Sequence, residues 1–267
     1  MRERGAGLGA RGLGSDADAV PPADQKLDSA GSSRVPRPES RAPSLSIILP
    51  TLNEAPHLAA TLAAARDDGV KEIIVVDGGS TDTTREVAAA HADLVISAAR
   101  GRSVQMNAGA ARATGDILLF LHADTLLPAG FAAAVQAACT AADVVGGRFD
   151  VALEPSSPLL WLTETLINLR SRLSRLATGD QAIFVRRDAF VRLGGYAAIP
   201  LMEDLELSRR LKRAGRIACL RTRVTTSSRR WCRDGVVRTI LLMWTIRLLY
   251  FAGVSPERLA RLYANTR

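Results

Sequence analysis

The sequence predicts an α/β fold with a mainly parallel central sheet flanked by helices. From Leu45 onward, short apolar runs alternate with helical patterns, and this alternation favours right-handed crossovers between parallel strands. Several of the runs are apolar throughout, which is typical of strands buried on both faces. The chain has 267 residues, which is enough for one sizeable domain with a proper core.

Residues 1–44 are predicted to be a disordered N-terminal tail. They are rich in Gly, Ala, Ser, Pro and mixed charge, so they cannot bury enough apolar surface to offset the entropy of folding. A Gly-x-Gly-x-x-Gly match at 7–12 lacks the strand before it and the helix after it that a dinucleotide-binding site requires. No secretory signal is expected, because 1–14 contains no apolar run.

The remaining elements follow in a regular order. Six apolar runs are predicted as strands: 45–50, 72–77, 94–96, 117–122, 144–149 and 182–185. Four helical patterns lie between the early strands: 57–68, 83–92, 102–113 and 129–141. A broad apolar stripe over 158–177, broken by arginines, predicts an amphipathic helix.

The excess positive charge lies at the C-terminal end. Residues 205–267 carry 15 basic and 3 acidic residues, a net charge of +12, whereas the whole chain carries +8. Such a segment can meet an anionic membrane or a phosphate-bearing substrate. Nucleic acid is disfavoured as a partner because no nucleic-acid-binding motif accompanies the charge. The three cysteines form no C-x-x-C pair, which argues against a disulfide framework or a zinc site and fits a reducing compartment.

The C-terminal segment 233–267 is predicted to be helical, apolar and basic. Its run 240–254 is shorter than the roughly 20 residues that span a bilayer, and Arg247 interrupts it. Two interpretations are open. The run is either a buried packing helix, or a helix that lies in the membrane interface with Trp244, Arg247 and Tyr250 as anchors.

Polar residues follow the first two predicted strands. The first strand is followed by Thr51, Asn53 and Glu54, and the second by Asp77, Gly78, Gly79, Ser80 and Asp82. Ligands of open α/β sheets bind at the carboxyl ends of the strands, where a carboxylate commonly accepts hydrogen bonds from ribose hydroxyls. Glycines let the backbone approach such a ligand closely. The alternative is a pair of ordinary turns, in which Asp82 caps its helix.

The fourth predicted strand ends in His122, Ala123 and Asp124. A carboxylate in this position can hold a divalent cation next to a phosphate ligand. The alternative is a strand that merely ends at a helix cap. Three strand ends of one sheet now carry such residues, and together they favour a nucleotide diphosphate with its cation over three unrelated caps.

With these motifs the chain resembles the family 2 glycosyltransferases, which have the nucleotide-diphospho-sugar transferase fold called GT-A. The resemblance runs from about 45 to 231 and is carried by ILPTLNEA, IIVVDGGSTDTT and GDILLFLHADT. More narrowly, the chain is similar to a bacterial subgroup associated with radical-SAM and selenium-related domains. The resemblance implies that 45–232 is a glycosyltransferase domain that uses a UDP- or GDP-sugar and a divalent cation, Mn²⁺ or Mg²⁺.

The resemblance also implies roles for individual residues. The donor would be bound by the residues that follow the strands: Thr51, Asn53, Glu54, Asp77, Gly78, Gly79, Ser80, Asp82, Arg100, His122, Ala123 and Asp124. Asp124 would be the metal-binding end of the family's Asp-x-Asp motif, in which His122 replaces the first Asp. For Arg100 the alternative is a solvated charge beside a helix start.

Asp204, with Glu203 beside it, is implied as the catalytic base of an inverting transfer, in which one carboxylate takes the proton of the acceptor hydroxyl. The alternative is that these acids merely favour the N-terminus of a helix. The acceptor side would contain Gly179, Asp180, Gln181, Arg230 and Trp231. Processive synthases of the family carry Gln-x-x-Arg-Trp at the last of these places. Here Ser227 replaces the Gln, which argues against a processive polymerase.

The sequence does not indicate the acceptor or the oligomeric state. A lipid-linked or hydrophobic acceptor would suit the basic and apolar C-terminal segment. We therefore expect a cytoplasmic protein that associates peripherally with the inner face of the bacterial plasma membrane. Two other functions are alternatives: a sugar nucleotidyltransferase, and a non-catalytic nucleotide-binding or membrane-scaffold protein. The first is disfavoured because it needs a Gly-rich phosphate loop where 51–54 stands.

Overall fold

The structure of the protein, a computed structural model, describes residues 42–265. The tail predicted over 1–44 therefore lies outside the described residues as far as residue 41. Ser44, at its end, donates hydrogen bonds from its N–H and its hydroxyl to the Asp116 carboxylate, at 2.8 and 2.9 Å. The described residues, 42–265, belong to a single compact unit. The division of this unit at residue 232 stays a prediction.

Eight strands form one sheet. Their bounds are β1 (Leu45–Thr51), β2 (Val70–Asp77), β3 (Leu94–Ser97), β4 (Ile117–Phe120), β5 (Thr125–Leu126), β6 (Val144–Glu154), β7 (Phe184–Arg186) and β8 (Arg216–Ser227). Their order across the sheet is β3-β2-β1-β4-β7-β6-β8-β5. The neighbours from β3 to β4 are all parallel, and so are β6 and β8. Strand β7 runs antiparallel to both β4 and β6, and β5 runs antiparallel to β8. The predicted α/β fold with a mainly parallel sheet is confirmed.

Ten helices flank this sheet in the described range. They are α1 (Ala55–Ala64), α2 (Thr84–His91), α3 (Arg102–Arg112), α4 (Phe131–Ala138), α5 (Pro158–Ser174), α6 (Arg187–Arg192), α7 (Glu203–Ala214), α8 (Arg229–Asp234), α9 (Val236–Phe251) and α10 (Pro256–Asn265). A short 3₁₀ turn, Gly179–Gln181, precedes β7. None of the helices within 42–265 is long and apolar enough to cross a bilayer.

Two apolar layers enclose the sheet. Alternate residues of β1 serve opposite layers, since Ile47 and Leu49 belong to one buried cluster and Ile48 to the other. Helix α3 lies very close to the second face, because a Cβ added at Gly109 would come within 2.5 Å of the Ile48 side chain. This close packing holds the N-terminal end of α3 near the carboxyl ends of β1 and β2.

Neither β5 nor β8 is predicted from the sequence. Strand β8 contains Arg216, Arg221 and Arg223, and much of it is partly exposed, so it shows no apolar run. It becomes a strand because it pairs with β6 along its length, from Val144↔Arg216 to Glu154↔Ser227. Strand β5 has two residues, too few for any pattern.

The structure places two of the three predicted interfacial anchors of the C-terminal run inward. Trp244 of α9 is 63% exposed, as an interfacial anchor requires. Tyr250, however, packs partly buried against the cluster that contains Ile246 and Leu259. Arg247 lines an internal cavity instead of the surface. Helix α9 is therefore apolar on two faces, one packed inward and the other exposed.

Candidate functional site

A cavity of about 850 Å³ opens at the carboxyl ends of β1 and β4. Its walls come from the loops after these two strands, the N-terminal ends of α3 and α7, the turn before β7, and helices α8 to α10. It contains five arginines and five carboxylates: Arg100, Arg102, Arg229, Arg233, Arg247, Glu54, Asp124, Asp180, Glu203 and Asp204. Such a mixture of charges suits a ligand that carries several negative charges of its own and a cation.

Most of the predicted site residues line this cavity. They are Thr51, Glu54, Arg100, His122, Ala123, Asp124, Gly179, Asp180, Glu203, Asp204 and Trp231. Seven predicted residues are not part of its lining: Asn53, Asp77, Gly78, Gly79, Ser80, Asp82 and Gln181. The side chain of Arg230 lies outside those that the structure describes.

Asp77 lies directly behind the cavity wall. It is 1% exposed, and it pairs with Thr51 of the wall in the register of β1 and β2. Its carboxylate accepts hydrogen bonds from the N–H groups of Gly79 and Ser80, both at 3.1 Å. The side chain of Gln105, on α3, holds the carboxyl end of β1 in place, since its amide donates a hydrogen bond to the Thr51 carbonyl at 2.8 Å. Contact between Asp77 and the donor stays a prediction.

The other polar residues outside the cavity join the loops after β1 and β2. Asn53 has a left-handed backbone, φ +56°, which Asn tolerates better than most residues. Its N–H donates to the Ser80 hydroxyl at 2.9 Å, and its side-chain oxygen accepts from the Thr81 N–H at 2.8 Å. Asp82 accepts from the N–H of Thr84, the first residue of α2, at 3.0 Å. Asp82 thus contacts the start of α2, and its role towards a ligand stays a prediction.

Gln181 has a structural role in the turn before β7. Its side chain is fully buried, and its oxygen accepts a hydrogen bond from the Thr178 N–H at 3.2 Å. The turn itself places Gly179 against His122, because a Cβ at Gly179 would lie 2.5 Å from the His122 Nε2 atom. The other ring nitrogen of His122, Nδ1, lies 3.2 Å from an Asp180 carboxylate oxygen. His122 is thus held by this turn.

Arg229 bridges the two carboxylates at one end of the cavity. Its Nη2 atom lies 3.4 Å from an oxygen of Asp124 and 3.6 Å from an oxygen of Glu54. Burial raises the pKa of Glu54 above its ordinary value, and the negative charge of Asp124 raises it further, while Arg229 acts in the opposite direction. No sequence pattern singled out Arg229, because it meets these acids only when β8 is paired in the sheet, between β6 and β5.

The residues around Asp124 fit a divalent cation that is shared with a ligand. Within 42–265, no group of three or more His, Cys, Asp or Glu side chains is placed to hold a metal ion by itself. Asp124 and Glu54 nevertheless offer hard oxygen ligands on either side of one positive charge. One or two carboxylates completed by substrate phosphates and water are the usual environment of Mg²⁺ and similar ions.

Competition between Arg229 and a cation is directly testable. Replacing Arg229 by Ala is expected to raise the affinity of the nucleotide-free chain for Mn²⁺ by a factor of up to about five, since exposed ion pairs contribute about 0.2–1 kcal/mol. Free Mn²⁺ can be followed by its paramagnetic resonance signal. Arg233→Ala is the matched control, because Arg233 also lines the cavity but pairs with Asp234, at 2.7 Å. An equal change in both variants, or none in Arg229→Ala, would contradict the competition.

Glu203 and Asp204 begin α7 and point their charge into the same cavity. The preceding residue, Met202, has a left-handed backbone with φ +69°, a conformation that is costly for such a side chain and often found at functional sites. Asp204 accepts a hydrogen bond from the Gly179 N–H at 2.9 Å. Glu203 is only 7% exposed. Burial and the neighbouring Asp204 raise the pKa of Glu203 to about 6, although Arg102 partly opposes them.

The raised pKa of Glu203 has a consequence for stability. Because its folded pKa exceeds the unfolded value of 4.5, its protonation stabilises the fold; this contribution is complete below pH 4.5 and is lost as the pH rises through about 6. Glu203→Gln is therefore expected to raise the free energy of unfolding at pH 8 by about 2 kcal/mol, and to have little effect at pH 4.5. Urea unfolding at both pH values measures this difference. Glu206→Gln on the same helix, where the acid pairs with Arg210, should show no gain at pH 8.

Several cavity residues have no signal in the sequence. Arg247 and Tyr263 reach the cavity from α9 and α10, and Thr239 lies beside them. The sequence of these helices indicates only that they are apolar and basic. Their residues join the site because the C-terminal helices fold back onto α7, where Met202 and Leu205 pack with Ile246.

Comparison with known proteins gives a consistent result. The family described as Glycosyl transferase family 2 matches residues 46–199. A PGL/p-HBAD biosynthesis glycosyltransferase of Mycobacterium bovis is 38% identical over 168 residues, which cover 58% of this chain and 64% of that protein. Glycosyltransferase AglJ of Haloferax volcanii is 44% identical over 57 residues, 21% of this chain and 19% of that protein. The chain thus spans just under two thirds of the length of the Mycobacterium relative.

Solved structures share the fold. Mannosyltransferase PcManGT from Pyrobaculum calidifontis, in complex with GDP-Man and Mn²⁺, has a TM-score of 0.56 and 22% sequence identity, and the match covers 70% of this chain and 57% of that one. S. aureus TarS 1-349, in complex with UDP-GlcNAc, has a TM-score of 0.55 and 18% identity, with 69% and 58% covered. At these identities the likeness concerns the fold alone.

Proposed function

Because this chain belongs to glycosyl transferase family 2, we propose that it transfers a sugar from a nucleotide-diphospho-sugar to an acceptor hydroxyl. The observation that carries the proposal is the single cavity that Asp124, Glu203 and Asp204 share with five arginines. The relatives with printed functions are glycosyltransferases, and two neighbours of the same fold hold GDP-Man and UDP-GlcNAc. A UDP- or GDP-sugar is therefore the proposed donor. The family membership speaks against the sugar-nucleotidyltransferase alternative.

The donor diphosphate is proposed to lie between the basic N-terminal end of α3 and the carboxylates after β1 and β4. Arg100 and Arg102 would face its negative charges. Burial disfavours the charged form of Arg102, but the carboxylates of Glu203 and Asp180 outweigh it, so its pKa is raised and it stays charged. Asp124 and Glu54 would hold the divalent cation, which PcManGT also contains. When bound, the cation supplies positive charge that stabilises the departing nucleoside diphosphate.

Asp204 is the proposed general base. The N–H of Gly179 holds one of its oxygens, which fixes the carboxylate at the cavity wall. It would take the proton of the acceptor hydroxyl while that oxygen forms a bond to the anomeric carbon and the bond from this carbon to the diphosphate breaks. A single displacement of this kind inverts the anomeric centre. Glu203 lies beside it and shares the negative charge of this wall.

The acceptor is proposed to be hydrophobic or lipid-linked. Trp231, Met243 and Tyr263 from the three C-terminal helices line the cavity and offer apolar surface to such a molecule. Gly179 and Asp180 lie on the opposite side, at the turn before β7. The motifs also favour membership of the subgroup associated with radical-SAM and selenium-related domains. The basic and apolar C-terminal segment favours a location at the inner face of the plasma membrane.

The test is a thermal-shift screen of UDP- and GDP-sugars, with and without Mn²⁺. A ligand that binds only the folded chain raises its melting temperature. We expect at least one nucleotide sugar to raise it, and the rise to be larger with Mn²⁺. If neither the sugars nor UDP and GDP raise the melting temperature under either condition, the proposal fails.

A further inference from the structure

Two helices present large apolar side chains to solvent. On α5 the exposed residues are Leu159, Leu162, Leu166, Leu169 and Leu173, between 41% and 77% exposed. On α9 they are Val237, Leu241, Trp244, Leu248 and Phe251, between 53% and 71% exposed. Steps of three and four residues place each set along one face of its helix. We call these two faces the α5 stripe and the α9 stripe.

The two stripes contain most of the large apolar side chains that are exposed in the described part of the chain. Of the 15 large apolar residues that are exposed in the described part of the chain, 10 belong to the stripes. A folded chain rarely leaves so many large apolar side chains side by side in water unless they meet a partner or a membrane. The stripes are therefore a binding surface.

Helices α5 and α9 are neighbours. Leu176, just after α5, packs against the cluster that contains Ile246 of α9. Arg170 of α5 also lies close enough to Arg247 of α9 for the two charges to interact. Helix α5 buries its inward face against β6, where Asn168 accepts a hydrogen bond from the Val151 N–H at 2.8 Å, and α9 buries its own in the cluster that contains Ile246. The outward faces of both helices carry the stripes.

The charges around the stripes identify the partner. Helix α9 contains no acidic residue, and the one acid of α5, Glu164, is 4% exposed and pairs with Arg223 at 3.0 Å. Exposed arginines lie at the ends of the stripes, namely Arg175 after α5 and Arg238 in the first turn of α9. Arg209 of α7 adds a third, with its guanidinium 5.8 Å from the centre of the Phe251 ring.

A second copy of the chain is a poor partner for this surface, because a symmetric contact would bring the same positive charges together. Anionic lipid headgroups offer the opposite charge, and the acyl region below them accepts leucine and tryptophan. We propose that the α5 and α9 stripes bind the surface of an anionic lipid bilayer, with both helices lying in its interface.

This inference deepens the proposed function. Arg247 lines the cavity on the inward side of α9, while Trp244 and Leu248 of the same helix face outward. A chain bound through the stripes would hold its cavity one helix away from the lipid headgroups. An acceptor whose anchor stays in the bilayer can then present its hydroxyl to Asp204. The choice of a lipid-linked acceptor rests on the proposed function, but binding to lipid does not.

The experiment is co-sedimentation of the full chain with lipid vesicles, without nucleotide or cation. Vesicles of phosphatidylcholine alone are compared with vesicles that also contain phosphatidylglycerol. Binding to the anionic vesicles is expected to be at least tenfold tighter and to weaken as salt is added. Leu162→Glu with Leu166→Glu tests the α5 stripe, and Leu241→Glu with Leu248→Glu tests the α9 stripe. Each pair is expected to lower the affinity at least tenfold.

Val191→Glu is the matched control, since Val191 is 69% exposed on α6, away from both stripes. It should bind anionic vesicles like the unmodified chain. The melting temperature of each variant shows that it folds, because all five substituted side chains are exposed. Equal binding to both kinds of vesicle, or unchanged binding by either double variant, would overturn the proposal.

A second copy as the occupant is also an outcome of the test. If the chain sediments as a dimer without lipid and the double variants sediment as monomers, the stripes are a contact between copies and the lipid proposal is wrong. The result is independent of the proposed activity. A chain that binds vesicles but no nucleotide sugar would refute the glycosyl transfer alone, and the reverse result would refute the bilayer surface alone.

Discussion

Replacing Asp204 by Asn is expected to lower the turnover by about 10²–10⁴-fold, the usual contribution of a positioned general base. Binding of the donor should persist, since an Asn oxygen can still accept the hydrogen bond that the Gly179 N–H donates at 2.9 Å. The measurement is release of the nucleoside diphosphate from the sugar that the thermal-shift screen identifies, with an acceptor or water as the receiving hydroxyl. The melting temperature with that donor reports its binding.

Glu203→Gln is the matched control for this experiment, because the two acids are adjacent in α7 and line the same cavity. We expect it to retain far more turnover than Asp204→Asn. If Glu203→Gln removes the turnover and Asp204→Asn does not, the base is Glu203 and its assignment here is wrong. If both variants leave the turnover unchanged, neither acid is the base. If the unmodified chain binds the donor but releases no nucleoside diphosphate, it is better described as a nucleotide-binding protein without this catalytic step.

The second large effect is expected at Asp124. Its replacement by Asn removes one of the two carboxylates that flank Arg229, and leaves only Glu54 for a cation. The part of the donor affinity that depends on Mn²⁺ should fall at least tenfold. Thermal shifts with the donor, measured across a series of Mn²⁺ concentrations, report this change.

Asp180→Asn controls for the lost negative charge. Asp180 also lines the cavity, but its carboxylate lies beside His122, with 3.2 Å between the Asp180 oxygen and Nδ1. This variant should keep the dependence on Mn²⁺. If the two variants behave alike, the effect of Asp124 comes from the general charge of the cavity and no specific cation site exists there.

The sequence predicts the strands of one half of the sheet better than those of the other half. Strands β1, β2 and β4 are buried and apolar, so their own composition predicts them. Strand β8 has three arginines among its first eight residues and becomes a strand only through its long pairing with β6. Local composition reports burial on both faces well, whereas it cannot report a ladder whose partner lies about seventy residues away.

The polar loops after β1 and β2 show a second limit. Asn53 and Asp82 are polar residues at strand ends, and such residues suggest a ligand. In the structure they hold the two loops together, since Asn53 accepts a hydrogen bond from the Thr81 N–H and Asp82 accepts one from the Ala55 N–H. A side chain that binds a ligand and one that braces a loop have the same chemistry, and only the position of neighbouring backbone N–H groups separates them.

The sequence by itself determined the fold class, the family and the placement of Thr51, Glu54 and Asp124 after buried strands at one edge of the sheet. It could do so because buried strands and the residues at their ends are local features that a short segment records. The tertiary structure alone decided that Arg229 stands between Glu54 and Asp124, and that Arg247 turns inward while Trp244 turns outward. Those contacts join residues far apart in the chain, and their geometry depends on how the C-terminal helices pack against α7.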